Sequence, residues 1–208
     1  IALSRETEHN ERKILELSKP ESFSLYVGIP FCPSRCSYCS FVMASIERAE
    51  KLIEPYTKLL CEEIKRTAEI ANKLGLRLET VYFGGGTPTT LSAEQLDTVL
   101  GTVNNSFDMS TCREFTVEAG RPDTIDIAKL FALKENKVDR ISINPQTVND
   151  EVLKTIGRKH TAQQFFDAFE LARKCGFDNI NTDLIAGLPT DTPESFKNSL
   201  DSIVRLNA

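Results

Sequence analysis

The chain has 208 residues, 40% of them hydrophobic, so it can bury a sizeable core as one domain. Its net charge of −5 and pI near 5.2 make a nucleic-acid groove an unexpected main feature. No apolar run is long enough to span a bilayer, and no secretory signal pattern is present. We therefore expect a cytoplasmic protein with no membrane span and no nucleic-acid partner.

Short apolar segments alternate with amphipathic helical segments along the chain. Strands are expected over residues 24–29, 80–83, 114–119, 138–143 and 179–186. Helices are expected over residues 47–73 and after N-caps at Ser92, Asp123, Asn149, Thr161 and Thr192. Strands separated by helices predict parallel βαβ units, and the length accommodates five of them.

A charged helix-like segment, residues 5–18, precedes the first strand and belongs to no βα unit. We interpret residues 1–21 as the tail of a preceding N-terminal region. Residues 22–208 then form a core domain whose C-terminal part is missing, because the pattern stops at about the fifth βα unit.

Three cysteines, Cys32, Cys36 and Cys39, form a CxxxCxxC pattern in the cysteine loop (residues 31–39), directly after the first strand. Three thiolates can hold three irons of a cubane cluster and leave the fourth iron open to a small molecule. The alternative is structural zinc, which usually takes four ligands. Here a fourth ligand is not evident, since both histidines are remote in sequence.

The remaining cysteines and the histidines have ordinary interpretations. Cys61, Cys112 and Cys175 stand apart, so we expect them to be small, buried side chains. His9 and His160 are expected to be surface or capping residues.

Polar and glycine-rich features follow the predicted strands at their carboxyl ends. The cysteine loop follows the first strand, and the glycine run, residues 84–86, follows the second. Glu118 ends the third strand, Gln146 follows the fourth, and Asp183 lies near the end of the fifth. Because sites of parallel βα folds form at this edge, we expect these features to meet there.

Each of these features also has a plainer interpretation. Three glycines can form only a tight turn, or they can let a ligand approach the backbone. Glu118 can be a solvated strand end, while Gln146 and Arg158 alone resemble an exposed loop amide and a helix-end cation. Asp183 lies in a run that we expect to be buried on both faces, so its charge needs a partner or a ligand.

Together these residues resemble the radical S-adenosylmethionine (SAM) superfamily and, more narrowly, its oxygen-independent coproporphyrinogen III oxidase/dehydrogenase family. The likeness runs from about Leu25 to the end of the chain. The matching pieces are residues 26–32 (YVGIPFC), the CxxxCxxC run, residues 84–89 (GGGTPT), residues 117–119 (VEA), Gln146 with residues 156–158 (IGR), and residues 183–189 (DLIAGLP).

The resemblance implies an α/β fold, a partial (β/α)6 TIM-like barrel of the radical SAM type, here truncated after about five βα units. It implies that Cys32, Cys36 and Cys39 are the metal ligands of a [4Fe–4S] cluster whose open iron chelates SAM. It assigns no catalytic side chain. The SAM-binding residues that it implies, with two flanking tyrosines first, are Tyr26, Tyr38, Gly85, Gly86, Thr87, Glu118, Gln146, Arg158 and Asp183.

The implied reaction is oxidative decarboxylation of coproporphyrinogen III propionates to vinyl groups in haem and porphyrin biosynthesis. A reduced flavodoxin or ferredoxin-type donor would reduce the cluster, which cleaves SAM to a 5′-deoxyadenosyl radical that takes a hydrogen atom from the tetrapyrrole substrate. Two departures keep an alternative open. Phe41 stands where many family dehydrogenases have a further cysteine, and residues 142–146 differ from the usual glycine-containing loop. The alternative is a haem-binding chaperone that keeps the cluster and SAM but performs no decarboxylation.

Overall fold

The structure is a computed structural model that describes residues 2–41 and 44–207. The helices are α1 (Ala2–Leu15), α2 (Ile46–Lys73), α3 (Ala93–Ser106), α4 (Ile127–Glu135), α5 (Asp150–Thr155), α6 (Ala162–Lys174) and α7 (Pro193–Leu206). The strands are β1 (Ser22–Ile29), β2 (Phe31–Cys32), β3 (Ala44–Ser45), β4 (Arg77–Gly85), β5 (Glu114–Glu118), β6 (Arg140–Ser142) and β7 (Asn179–Asn181).

Five strands form one parallel sheet in the order β1-β4-β5-β6-β7, so the predicted βα units are confirmed. The register sets Ile29 opposite Gly85, and Glu118 opposite Ser142. The carboxyl ends of neighbouring strands are therefore level with one another, which brings the loops that follow them to one edge. The short strands β2 and β3 form a separate parallel pair.

The main core lies between this sheet and the helices α2, α3, α4 and α6. Its largest fully buried side chains include Phe83, Phe115, Phe165 and Phe177. The rings of Phe83 and Phe115 lie 5.8 Å apart on neighbouring strands. Burial of each such ring stabilises the fold by roughly 1.5–3 kcal/mol, so the sheet is a rigid base for the loops at its edge.

Helix caps show where the sequence patterns succeed and where one is wrong. Ser92 and Thr161 both form complete capping boxes, as their spacing predicts. Asp123 does not begin α4, because it lies in a 3₁₀ turn that Pro122 starts. The helix begins three residues later, where the Asp126 side chain accepts a hydrogen bond from the Lys129 amide at 2.9 Å.

The last strand is shorter than predicted. β7 ends at Asn181, and beyond it an isolated parallel bridge joins Gln146 to Leu184. The Asp183 side chain is exposed, so the expectation that it is buried on both faces is wrong. The reason is that β7 is the edge strand of the described sheet and the chain leaves it before reaching Asp183.

The segment before the sheet is helical, as expected, although α1 ends at Leu15 rather than at Ser18. Residues 5–20 are exposed throughout. The domain boundary after residue 21 stays a prediction, and its outer limits, Ile1 and Ala208, lie outside the described residues. Among the helices that the structure describes, none is both long and apolar enough to cross a membrane.

Candidate functional site

The cysteine loop is held between two other loops of the carboxyl edge. On one side, the Cys32 sulfur lies 3.4 Å from the Thr87 hydroxyl, which follows the glycine run. On the other side, the Ser37 amide donates to the Ile156 carbonyl at 3.0 Å, just after α5. The Ser34 hydroxyl donates to the Gly157 carbonyl at 3.1 Å. These contacts join three separate βα loops around the thiols.

The three thiols differ in their surroundings, and all are free. Cys36 is buried, whereas Cys32 and Cys39 are partly exposed. Burial raises the pKa of the Cys32 thiol, and the Thr87 hydroxyl and the Arg121 charge oppose that rise. Within residues 2–41 and 44–207, no three His, Cys, Asp or Glu side chains are already gathered as a metal site, and this includes the three cysteines of the motif.

Arg158 and Tyr38 form a pair beside the cysteine loop. The guanidinium donates to the Tyr38 hydroxyl through Nε at 3.3 Å and through a terminal nitrogen at 2.9 Å. Its other terminal nitrogen donates to the Gly120 carbonyl at 3.2 Å. Arg158 is 8% exposed, so it is a buried cation of this edge rather than an exposed residue at a helix end.

The glycine run packs directly against the start of the cysteine loop. The Gly86 amide donates to the Ile29 carbonyl at 2.7 Å, and the Thr87 amide donates to the Phe31 carbonyl at 2.8 Å. A Cβ at Gly86 would lie 2.5 Å from the Phe31 carbonyl oxygen, and Gly85 has a positive φ of 101°. Gly86 is therefore required by this close backbone contact, and Gly85 is favoured by its positive φ, even without a ligand.

Glu118 is held by a tyrosine that the sequence patterns did not single out. The Tyr82 hydroxyl donates to the Glu118 carboxylate, and the rings of Tyr82 and Tyr26 stack at 5.9 Å with an 11° angle. Burial raises the pKa of the Glu118 carboxyl, and the nearby Asp183 charge adds to the rise. The available signal was strand alternation, since Tyr82 faces away from its core neighbours Val81 and Phe83.

Gln146 has an unusual backbone and an orphaned side-chain oxygen. Its φ is +69°, its amide donates to the Asp183 carbonyl at 3.1 Å, and its own carbonyl accepts from the Ile185 amide at 3.0 Å. Among the described residues, its buried Oε1 has no hydrogen-bond partner. A buried acceptor without a partner is costly, and a ligand at this edge would satisfy it. Asn144 steadies the same loop, because its Oδ1 accepts from the Asp183 amide at 3.1 Å.

The burial of the histidine and of the scattered cysteines differs in part from what the sequence predicts. His160 is 2% exposed, so the expectation of a surface or capping residue is wrong. It lies in the loop between α5 and α6, where burial lowers its pKa to about 4. Cys61 is buried as expected, while Cys112 and Cys175 are only partly so.

The donor set at this edge fits a cluster and a small polar cofactor. Three free thiols lie on one loop, an unsatisfied amide oxygen and a carboxylate lie nearby, and a buried arginine donates to one of the sulfurs. Three sulfurs leave one corner of a cubane cluster without a protein ligand. The assignment of individual residues to SAM stays a prediction.

Comparison with known proteins identifies the superfamily. The family model described as the radical SAM superfamily matches residues 26–203. A solved structure, coproporphyrinogen III oxidase (HemN) from Escherichia coli, has a TM-score of 0.79 at 31% identity and covers 94% of this chain and 45% of its own. The predicted α/β partial barrel of the radical SAM type is therefore confirmed.

Two curated relatives differ in what their names say they do. The oxygen-independent coproporphyrinogen-III oxidase-like protein HemZ of Bacillus subtilis is 42% identical over 187 residues, which are 89% of this chain and 37% of HemZ. The heme chaperone HemW of Lactococcus lactis is 40% identical over 191 residues, 91% of this chain and 47% of HemW. The chain thus spans less than half the length of either relative. The chain belongs to the radical SAM superfamily, and its similarity there is to the group of HemN, HemZ and HemW.

Proposed function

We propose that the protein binds a [4Fe–4S] cluster and SAM and decarboxylates coproporphyrinogen III propionates oxidatively to vinyl groups. In this proposal it acts in the cytoplasm and receives electrons from a reduced flavodoxin or ferredoxin-type donor. The observation that carries the proposal is the packing of the CxxxCxxC loop against the glycine run, with Gln146 unsatisfied at the same edge. The similarity to HemN and HemZ supports the choice of substrate.

The described residues have separable tasks in this proposal. Cys32, Cys36 and Cys39 would hold three irons and leave one open for SAM. When bound, cluster and SAM supply the one-electron chemistry that removes a hydrogen atom from an unactivated carbon. The resulting propionate radical would lose carbon dioxide and pass one electron to a one-electron acceptor to give the vinyl group. Glu118 and Gln146 offer acceptor oxygens for the polar groups of SAM, and both are fixed in place beforehand by Tyr82 and by the backbone of the loop after β7.

An apolar wall lies next to the cysteine loop, and it includes Tyr26 and Gly85, which the resemblance assigns to SAM. In this proposal the tetrapyrrole packs on the rest of the wall. A cavity of about 330 Å³ is lined by Tyr26, Pro30, Phe41, Tyr56 and Gly85, among others. The Tyr56 hydroxyl donates to the Gly28 carbonyl at 2.5 Å, so the hydrogen-bond donor of this tyrosine is already engaged. Aromatic walls of this kind can pack against the apolar faces of pyrrole rings, and the wall would also exclude water from the reacting carbon.

A haem chaperone is the second candidate, and Phe41 favours it. This side chain is 63% exposed on the same wall, at the position where many decarboxylating relatives have a cysteine. An exposed aromatic ring there can pack on a haem face, whereas it offers no thiol for chemistry. The 40% identity to a heme chaperone points the same way.

Turnover separates the two candidates. The full natural protein, loaded anaerobically with iron and sulfide, is incubated with SAM, reductant and coproporphyrinogen III, and products are separated by chromatography. The proposal predicts vinyl-bearing product and carbon dioxide, with none from a Cys36→Ala control. Stable haem binding without any product would refute decarboxylation and favour the chaperone.

A further inference from the structure

Arg121 is a buried cation whose donors converge on the cysteine loop. It is 3% exposed and lies three residues beyond the end of β5. One terminal nitrogen donates to the Cys36 sulfur at 3.2 Å, and the other donates to the Ser34 hydroxyl at 2.7 Å. Ser34 in turn donates to the Gly157 carbonyl at 3.1 Å. The guanidinium therefore reaches a cluster-binding sulfur and the adjacent loop at the same time.

A second layer fixes the orientation of Arg121. Its Nε donates to the Asp123 carboxylate at 3.3 Å, and that carboxylate is only 17% exposed. The Nδ1 atom of the fully buried His160 lies 3.9 Å from the same carboxylate oxygen. With Nε and both terminal nitrogens engaged by different partners, the guanidinium plane has little freedom to turn.

A positive charge and a hydrogen bond at a cluster sulfur have a known electronic effect. The sulfur of a reduced cluster carries more negative charge than that of an oxidised one, so both interactions favour the reduced state. Hydrogen bonds to the sulfurs and local net charge are among the factors that set the potential of such clusters. Burial strengthens the effect, since solvent does not screen the contact.

We propose that Arg121 is a positioning residue that orients Cys36 for cluster binding and raises the reduction potential of the bound cluster. Asp123 acts through Arg121 by holding its guanidinium. The inference rests on the cluster assignment of the proposed function but not on the identity of the substrate. Of the described side chains, Arg121 is the cation that hydrogen-bonds a cysteine of the CxxxCxxC motif.

The test is a potentiometric titration of the cluster in the full natural protein. Arg121→Met removes the charge and the donors, and Arg121→Lys keeps the charge with a different donor geometry. Arg113→Met is the matched control. The Arg113 guanidinium lies 3.4 Å from the Glu79 carboxylate, and this pair is not part of the cysteine loop. Each protein is loaded anaerobically, iron per chain is measured, and the midpoint potential is read from the electron paramagnetic resonance (EPR) signal during dithionite titration.

We expect the midpoint potential of the cluster to become more negative in Arg121→Met. In Arg121→Lys it should lie between the values of Arg121→Met and the unmodified protein, and in Arg113→Met it should equal that of the unmodified protein. An unchanged midpoint in Arg121→Met, even with lower iron content, would overturn the proposal and leave Arg121 a packing role only. If Arg121→Met takes up no iron, the midpoint potential of Arg121→Lys is compared with that of the unmodified protein, and an unchanged value overturns the proposal. Failure of the unmodified protein to take up iron would instead contradict the proposed function.

Discussion

Gly86→Ala should destabilise the protein even when it holds no cofactor. The added Cβ would lie 2.5 Å from the Phe31 carbonyl oxygen and 2.8 Å from the Ile29 carbonyl oxygen. Both are backbone atoms of the segment leading into the cysteine loop, so neither can move aside as a flexible side chain could. Overpacking of this kind costs about 3 kcal/mol, the upper part of its usual range.

For a chain of this size, that loss corresponds to a melting temperature lower by about 6–12 °C. Gly101→Ala is the matched control on α3, where the new Cβ would meet only the Asn136 Oδ1 at an ordinary 3.5 Å. Alanine is favoured over glycine within a helix by roughly 0.5–1 kcal/mol, so this control should be slightly more stable. The assay is thermal and urea unfolding of cluster-free protein.

Iron loading of Gly86→Ala adds a second readout. The displaced backbone would carry Thr87 away from the Cys32 sulfur, which lies 3.4 Å from its hydroxyl, so loading should also fall. If cluster-free Gly86→Ala unfolds at the same temperature as the unmodified protein, the packing explanation of the glycine run is wrong. The run would then serve a ligand alone.

Three further predictions concern the cysteine loop and its acidic and amide neighbours. Cys36→Ala should abolish iron uptake, whereas the control Cys175→Ala should retain it, as measured by iron and sulfide content. If both variants take up the same amount of iron, Cys36 is not a ligand. Burial raises the pKa of Glu118 above its ordinary value of 4.5, so the folded state binds the proton more tightly and stability falls as pH rises through that window. In urea unfolding, the free energy of unfolding of Glu118→Gln should therefore fall less between mildly acidic and neutral pH than that of the unmodified protein. If the two free energies change with pH in parallel, the raised pKa of Glu118 is contradicted. Gln146→Ala should weaken SAM binding roughly 2–10-fold by calorimetry, the value of one hydrogen bond, and an unchanged affinity would show that Oε1 does not meet SAM.

Local patterns predicted the framework of this fold well. The five strands, both capping boxes and the convergence of the cysteine loop with the glycine run follow from periodicity and from the rule that parallel strands share a carboxyl edge. The error at Asp123 also has a local cause. Two aspartates, Asp123 and Asp126, compete to cap α4, and Pro122 commits the first of them to a 3₁₀ turn.

Contacts between distant segments could not be predicted from the sequence. His160 is buried in the loop between α5 and α6, and no period or motif in the sequence records that burial. Arg121 carried one usable signal, a charged residue shortly after an apolar strand at the carboxyl edge. Its partner Cys36 lies 85 residues away, so the pair emerges only in three dimensions. Tyr82 is similar, since its bond to Glu118 joins two different strands.

The most direct test of the account is EPR spectroscopy of the anaerobically reconstituted, reduced protein before and after SAM is added. If three cysteines hold the cluster and leave one iron open, the reduced protein should show a [4Fe–4S] signal whose shape changes on addition of SAM. A signal that SAM leaves unaltered, or a protein that binds stoichiometric zinc and no iron, would contradict the open-iron site.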